Sequence, residues 1–341
     1  MLLRNIVNRE ELKKRMEADM RPYTTISFYI YYPIRDPQAF RDQLYLRWLN
    51  FEVVGRVYIA EEGINAQIAL PSVHFNSFKE DLYTIDFLSG IRLNTAIEEN
   101  QKAFIKLDMK VRPKIVADGI DDPEFNPTNT GTYLEAEDWN SYLNDEETVV
   151  IDMRNHYESE VGRFENADCP DADTFREELQ LVIDKYEGER DKRMLMYCTG
   201  GIRCEKASAW MRYKGFNEVY HLKGGIINYV KQVKEKALEN KFKGVNFVFD
   251  QRLHERVSDD IISSCHQCGK PADIHINCAN TACHLLFIQC NECASLYDAC
   301  CSQECADVLK LPVEEQKKLR KGVKAQRVFK KGRFPRAPFN T

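Results

Sequence analysis

The sequence predicts a mixed α/β chain of several domains, on three observations. Strand-like and helix-like segments follow one another in two different orders in the first and middle thirds, and nine of the twelve cysteines crowd between Cys265 and Cys305. The 341 residues also exceed what one ordinary core organises. A hydrophobic fraction of 43% and a charged fraction of 30% are ordinary for globular proteins, so most of the chain carries enough apolar surface to fold.

The first twenty residues mix apolar side chains with Arg4, Arg9, Lys13, Lys14 and Arg15. They lack the unbroken apolar core of a signal peptide. No stretch approaches the roughly 20 apolar residues of a membrane-spanning helix, so a cytoplasmic protein without a membrane role is expected. After a first helix, Thr24 to Tyr32 (TTISFYIYY) is β-branched and aromatic and predicts a strand. Pro37 then opens a helix in which Phe40, Leu44, Trp48 and Leu49 recur at helical spacing. Val53 to Ala60 and Ile64 to Leu70 flank Glu61-Glu62-Gly63 as a hairpin. A helix over Val73 to Leu88 and strands over Ile91 to Ile97 and Phe104 to Val116 complete a β-α-β-β-α-β order. That order predicts a ferredoxin-like α+β domain across residues 1–117.

Residues 118–132 hold Gly119, Pro123, Pro127 and Gly131 among polar neighbours, the composition of a linker. Over residues 133–236 the pattern alternates. It gives a helix at Ala136 to Leu143, a strand at Thr148 to Met153, a helix at Asp173 to Tyr186 and a strand at Arg193 to Tyr197. A helix at Arg203 to Lys214, a strand at Glu218 to Leu222 and a helix from Ile226 follow. Such alternation predicts a central parallel sheet covered on both faces. Residues 237–311 form a Cys-rich segment and residues 312–341 a basic tail.

The strand ending at Tyr197 runs into Cys198-Thr199-Gly200-Gly201-Ile202-Arg203-Cys204, with a helix beyond. A cysteine at the carboxyl end of a parallel strand sits where open α/β sheets place ligands. Gly200 and Gly201 let the backbone curl so that successive N–H groups form an anion-cradling loop over Thr199 to Ile202. With Arg203, those donors lower the thiol pKa and make Cys198 a nucleophile. A cysteine-dependent phosphatase places its arginine six positions after the nucleophile, where this chain has Cys204; the shorter loop suits a terminal sulfur and favours persulfide chemistry. Cys204 reads as a resolving thiol or, preferably, a small apolar filler. Cys169 has no motif around it.

Without an export signal the cysteines are expected to stay reduced. Cys265-x2-Cys268, Cys278-x4-Cys283, Cys290-x2-Cys293 and Cys300/Cys301 with Cys305 are four pairs at zinc-ligand spacing. Eight thiolates, taken as Cys265, Cys268, Cys278, Cys283, Cys290, Cys293, Cys301 and Cys305, would close two structural zinc sites. The spacing leaves open whether the sites are sequential or interleaved, and disulfides are the competing explanation. His266, His275 and His284 are substitute ligands or, preferably, surface and turn residues.

Ile151-Asp152-Met153-Arg154 and His221-Leu222-Lys223-Gly224-Gly225, with the Cys198 loop between them, resemble rhodanese domains over about residues 133–232. The resemblance implies that Cys198 carries the persulfide, that residues 199–203 cradle it and that Asp152 and Arg154 brace it from a neighbouring strand. Without it, Asp152 and Arg154 read as a structural ion pair.

Ala60-Glu-Glu-Gly-Ile-Asn65, Phe104-Ile-Lys-Leu-Asp-Met-Lys-Val-Arg112, the cysteine loop and the Cys-rich segment together resemble the bacterial tRNA uridine hydroxylases over nearly the whole chain. That resemblance implies 5-hydroxylation of the wobble uridine at position 34, with tRNA as substrate and dioxygen as co-substrate. No nucleotide cofactor and no two-His-one-carboxylate set is evident, and zinc does not change oxidation state. Cys198, as thiolate or persulfide, is the evident redox group. A sulfurtransferase passing sulfane sulfur onward is the alternative, and a non-catalytic RNA-binding module a more distant one. Thiol chemistry also leaves room for a sulfur-donor or reductant protein as partner; oligomeric state is open.

Two basic features suggest how RNA would be held. Lys106, Lys110, Arg112 and Lys114 would share one strand face. From residue 312 onward ten basic residues, among them Lys317, Lys318, Arg320 and Lys321, outnumber two acidic ones. Phe329, Phe334 and Phe339 between them can stack on bases. Solvated surface is the simpler account of both.

Overall fold

The structure, a computed structural model, describes residues 3, 5–98 and 102–321. The N-terminal unit runs α1 (Arg9–Ala18), β1 (Tyr23–Tyr31), α2 (Pro37–Leu49), β2 (Val54–Ala60), β3 (Gly63–Pro71), α3 (Phe75–Tyr83), β4 (Asn94–Thr95) and β5 (Leu107–Val111). Its sheet has the order β4-β1-β3-β2-β5. The first four strands are antiparallel, as a ferredoxin-like sandwich requires, and β5 adds a parallel edge beside β2. Alternation along the strands sorts the two faces. Ile26, Phe28, Val57, Ile59, Ile64, Ala66 and Ile68 join Trp48 and Phe78 in one core, leaving Ser27, Tyr29, Asn65 and Gln67 on the opposite, polar face. Asp36 caps α2 by accepting from the N–H of Ala39, with Pro37 at its first turn.

Three expected elements are shorter than the sequence suggests. The helix over 73–88 is broken into a 3₁₀ turn at Ser72–His74, α3 and a second 3₁₀ turn at Asp86–Leu88. Of the strand expected over 91–97 only Asn94–Thr95 pairs. Of the strand over 104–116 only Leu107–Val111 pairs, because Pro113 cannot donate to a ladder and the chain turns away beyond it. The segment read as a linker is docked. Asp118 and Ile120 are buried, and Ile120 joins the core of the second unit.

That unit runs β6 (Thr132–Leu134), α4 (Ala136–Leu143), β7 (Thr148–Asp152), α5 (His156–Val161), β8 (Gly162–Phe164), α6 (Phe175–Tyr186), β9 (Arg193–Tyr197), α7 (Ile202–Tyr213), β10 (Val219–Leu222) and α8 (Gly225–Lys236). Its parallel sheet has the order β6-β10-β9-β7. Along β9, Met194 and Met196 enter one core with Cys198 and Leu179, while Leu195 and Tyr197 enter the other with Trp139 and Tyr229. Both faces are therefore covered, which explains a strand without polar alternation.

β11 (Phe242–Phe247) and β12 (His254–Arg256) then join β8 in an antiparallel sheet of order β12-β11-β8. The expected division at residue 236 thus falls just before a strand that pairs with the preceding unit. A hairpin of β13 (His275–Asn277) and β14 (Leu286–Ile288), with α9 (Asn291–Leu296), α10 (Gln303–Lys310) and α11 (Val313–Arg320), completes the described chain.

Candidate active site at Cys198

Cys198 follows the last residue of β9 and is fully buried. The loop closes over it because Gly201, the N-cap of α7, takes φ 102°, a value that side chains with a Cβ rarely adopt. Its N–H donates to the Cys198 Sγ at 3.2 Å. Opposite, the N–H groups of Ile226 and Ile227 at the start of α8 donate to the carbonyls of Cys198 (3.0 Å) and Thr199 (3.2 Å). That approach needs Gly225: with φ 66°, a Cβ there would lie 2.5 Å from the Cys198 carbonyl oxygen. Burial alone would raise the thiol pKa, but the Cys204 thiol, the Arg203 charge and the N–H groups of Cys204 and Gly201 outweigh it and bring Cys198 down to about 6. At neutral pH the sulfur is a thiolate.

Cys204 is more than the apolar filler the sequence favours. It is buried in the core, where burial pushes its own pKa up, and as a neutral thiol it stabilises the neighbouring thiolate. Arg203 is held bidentately by Glu158, Nη1 to Oε1 at 2.6 Å and Nη2 to Oε2 at 2.9 Å, and its Nη2 also reaches the Thr199 hydroxyl at 3.3 Å. It acts on the thiolate as a fixed neighbouring charge. Glu158 has a second duty as the N3 carboxylate of the capping box that opens α5. Asp152 and Arg154 form a fully buried pair, with Nε and Nη2 of Arg154 on the two carboxylate oxygens at 2.8 and 2.6 Å. Tyr197 donates to Asp152 at 2.7 Å, and Arg154 donates to the Gly162 carbonyl at 2.6 Å. The pair ties β7, β9 and β8 together; its hydrogen bonds end on the strands and do not reach the 199–203 loop.

Two carboxylates escaped the sequence reading. Glu158 sits in a helix the sequence did not suggest. Glu178 is fully buried on α6, both its oxygens lack hydrogen-bond partners, and burial raises its pKa well above the usual carboxylate range. A signal for it existed: with Phe175, Leu179 and Val182 it falls on the apolar stripe of its helix.

The N-terminal sheet faces the cysteine loop. Tyr29 donates to Glu205 at 2.8 Å, Tyr31 to the Ile202 carbonyl at 3.2 Å, and the Asn94 amide to the Gly200 carbonyl at 3.4 Å. Lys206, almost wholly buried, bridges Glu62 (2.6 Å) and Asp118 (2.5 Å). Between sheet and loop lies a cavity of about 830 Å³ whose lining includes Ser27, Gln67, Arg112, Arg176, Cys198 and Phe249.

The basic stripe is not one strand face. Lys106, Arg112 and Lys114 lie outside β5. Lys110 pairs with Asp108 at 2.7 Å and Lys114 with Asp118 at 2.7 Å, whereas Arg112, exposed, lies over the Tyr58 ring and lines the cavity. Lys317 pairs with Glu314 at 2.8 Å, and Lys318 and Lys321 are exposed. The Arg320 side chain and everything from residue 322 on, including Phe329, Phe334 and Phe339, lie outside the described residues.

The cysteine cluster resolves into two groups that interleave in sequence. Cys265, Cys268, Cys290 and Cys293 form one, and Cys278, Cys283, Cys301 and Cys305 the other; in each the sulfurs all lie within 4.8 Å of one another and could hold a metal ion. Cys300 is the residue left over. None of the twelve cysteines is disulfide-bonded. Of the histidines, His284 is exposed and His266 lies in a turn, where it contacts Glu160 at 3.0 Å, but His275 is buried on β13 and is not the surface or turn residue expected.

A parallel α/β unit with a cradled thiolate at the end of a central strand defines a thiol enzyme built on a rhodanese-like domain. The family described as "Rhodanese-like domain" matches residues 135–232, flanked by "UPF0176 acylphosphatase like domain" at 23–115 and "Rhodanase C-terminal" at 243–306. Over 94% of this chain and 91% of the relative's length, the sequence is 56% identical to the tRNA uridine(34) hydroxylase of Pectobacterium atrosepticum. The protein of the same name from Sodalis glossinidius is 53% identical over 97% of this chain and 95% of its own length. The chain belongs to the tRNA uridine(34) hydroxylase family. Among solved structures, a rhodanese-related protein of Thermoplasma volcanium is 22% identical, covering 30% of this chain and 92% of that chain with a TM-score of 0.25. Reduced CoADR-RHD of Bacillus anthracis is 14% identical, covering 67% of this chain and 37% of that chain with a TM-score of 0.29.

Proposed function

We propose that this protein hydroxylates uridine 34 of tRNA in the cytoplasm, at carbon 5 and with dioxygen as co-substrate, one oxygen atom entering the base and the other leaving as water with two electrons from an external thiol or reductant protein, and that Cys198 is its reacting group. One observation carries the assignment of the residue: the Cys198 thiolate, with its pKa near 6, lines the 830 Å³ cavity shared by the N-terminal sheet and the cysteine loop. Arg203 and the loop N–H groups hold the anion; Asp152 and Arg154 position the strand that presents it. Thr199, Gly200, Gly201 and Ile202 supply the curved backbone. Lys106, Arg112 and the basic tail with Lys318, Arg320 and Lys321 supply phosphate contacts, while Lys110, Lys114 and Lys317 are paired with carboxylates.

Each four-cysteine group would hold a zinc ion that supplies architecture and no chemistry. The fit is geometric. A tetrahedron with zinc–sulfur bonds of about 2.3 Å has edges of about 3.8 Å, and the Cys268–Cys290 and Cys283–Cys301 sulfurs are each 3.6 Å apart.

Mass spectrometry of tRNA nucleosides from cells lacking the gene tests this. Loss of 5-hydroxyuridine, restored by the wild-type chain and not by Cys198→Ser, is the expected result; restoration by Cys198→Ser would remove Cys198 from the chemistry. The short loop also suits transfer of sulfane sulfur to an acceptor, which thiocyanate formation from thiosulfate and cyanide would reveal.

A further inference from the structure

The polar face of the N-terminal sheet has a hydrogen-bonding row that is used at one end only. The register aligns Asn94 on β4, Ser27 on β1 and Gln67 on β3 as one rung across three strands. Its near end touches the cysteine loop: the Asn94 amide donates to the Gly200 carbonyl, and a Cβ on Gly200 would lie 4.0 Å from the Ser27 hydroxyl. One strand further, about 4.8 Å away, the Gln67 amide lines the cavity. Among the described residues neither the Ser27 hydroxyl nor the Gln67 side-chain amide has a hydrogen-bond partner.

The rung is neutral. A phosphate would call for uncommitted cations there, yet of the cations that line the cavity Arg203 is held by Glu158, Arg252 by Asp250 and Glu255, and Lys114 by Asp118, while Arg112 and Arg176 are exposed. A hydroxyl and a primary amide instead match a group with carbonyl acceptors and an imide N–H, the polar edge of uracil. Phe249, half-buried beside the Arg203 guanidinium at 5.8 Å, contributes an aromatic wall, and unstacked bases of single-stranded loops are held by aromatic faces together with their hydrogen-bonding edges. The volume lies within the roughly 300–1,000 Å³ of small-molecule sites.

We propose that this cavity is the nucleobase pocket, in which Gln67 and Ser27 grip the polar edge of a single splayed-out uracil and Phe249 covers its face. The inference rests on the uridine-modifying function proposed above and adds the residues that recognise the base. Gln67 and Ser27 are specificity residues of the N-terminal domain, so the thiol domain alone lacks base recognition.

The test is equilibrium binding of an anticodon stem-loop RNA with uridine at position 34 against the same RNA abasic at that position. Wild type, Gln67→Leu and Ser27→Ala are compared, with 5-hydroxyuridine formation followed in parallel. Wild type should favour the uridine RNA at least tenfold, and Gln67→Leu should abolish that preference while the alkylation rate of Cys198 stays unchanged. Ser27→Ala, the smaller change and a safeguard against misfolding, should weaken the preference in the same direction. No wild-type preference, or one that survives both substitutions, overturns the pocket. If the preference behaves as expected but no 5-hydroxyuridine forms, the hydroxylase assignment falls and the base pocket stands; hydroxylation with an unaltered preference in both variants has the opposite meaning.

Discussion

At the scale of single residues, the thiolate depends on donors that outweigh its burial. Its pKa of about 6 lies below the ordinary 9.0, so alkylation of Cys198 by iodoacetamide should be half-maximal near pH 6. Because the folded-state value is depressed, the associated stability is complete above pH 9 and is lost as the pH falls through about 6. Arg203→Ala should move the alkylation midpoint upward. It also leaves Glu158 buried without its cation, which costs about 3–5 kcal/mol; urea unfolding measures that loss, and an unchanged midpoint would show that the arginine charge does not reach the sulfur. Asp152 and Arg154 form a fully buried pair whose hydrogen bonds end on the strands, so a variant such as Asp152→Asn should lose stability more than it alters the alkylation midpoint.

At the scale of elements, the loop is held between two left-handed glycines. Gly225→Ala places a methyl against the Cys198 carbonyl oxygen. The backbone conformation alone costs about 1–3 kcal/mol, and the clash displaces the loop, so hydroxylation should fall further than thermal stability. Equal activity in that variant would show that the α8 contact does not shape the loop. Elements with a strong local signal were legible in the sequence: α4 and β9 match their expected limits, and the strand-loop-helix around Cys198 is where its glycines suggested. Elements made by tertiary contact were not. His156–Val161 is short, and neighbouring Gly162–Phe164 has no strand pattern of its own; the capping box, the Arg203–Glu158 pair and pairing with Phe242–Phe247 determine them. The thiol loop and the cysteine pairs could be found from spacing. The rung of Asn94, Ser27 and Gln67 could not, because three distant segments meet only through sheet register.

At the scale of the molecule, three parts of the chain build one cavity, with the sheet, the cysteine loop and Phe249 each supplying a wall. Deleting residues 322–341 should weaken tRNA binding and flatten its salt dependence, since each phosphate neutralised by Lys or Arg adds a salt-sensitive increment, while Cys198 keeps its reactivity toward small reagents. Unchanged affinity and slope would assign RNA binding to other surfaces. Elemental analysis of protein purified under reducing conditions should find about two zinc ions per chain. Stable, metal-free protein would contradict the architectural role.

The interleaving of the two cysteine groups bears on how the chain matures as it leaves the ribosome. Cys265 and Cys268 must wait for Cys290 and Cys293, and the loop they close already contains Cys278 and Cys283, half of the other group. Neither knuckle can be finished and set aside before the other has begun. The first group has all its sulfurs once Cys293 has emerged and the second only once Cys305 has, so protease resistance of this segment should be complete only in nascent chains that extend beyond Cys305. Because the loop closed by each group carries half of the other, a chelator should strip both groups in one concerted transition.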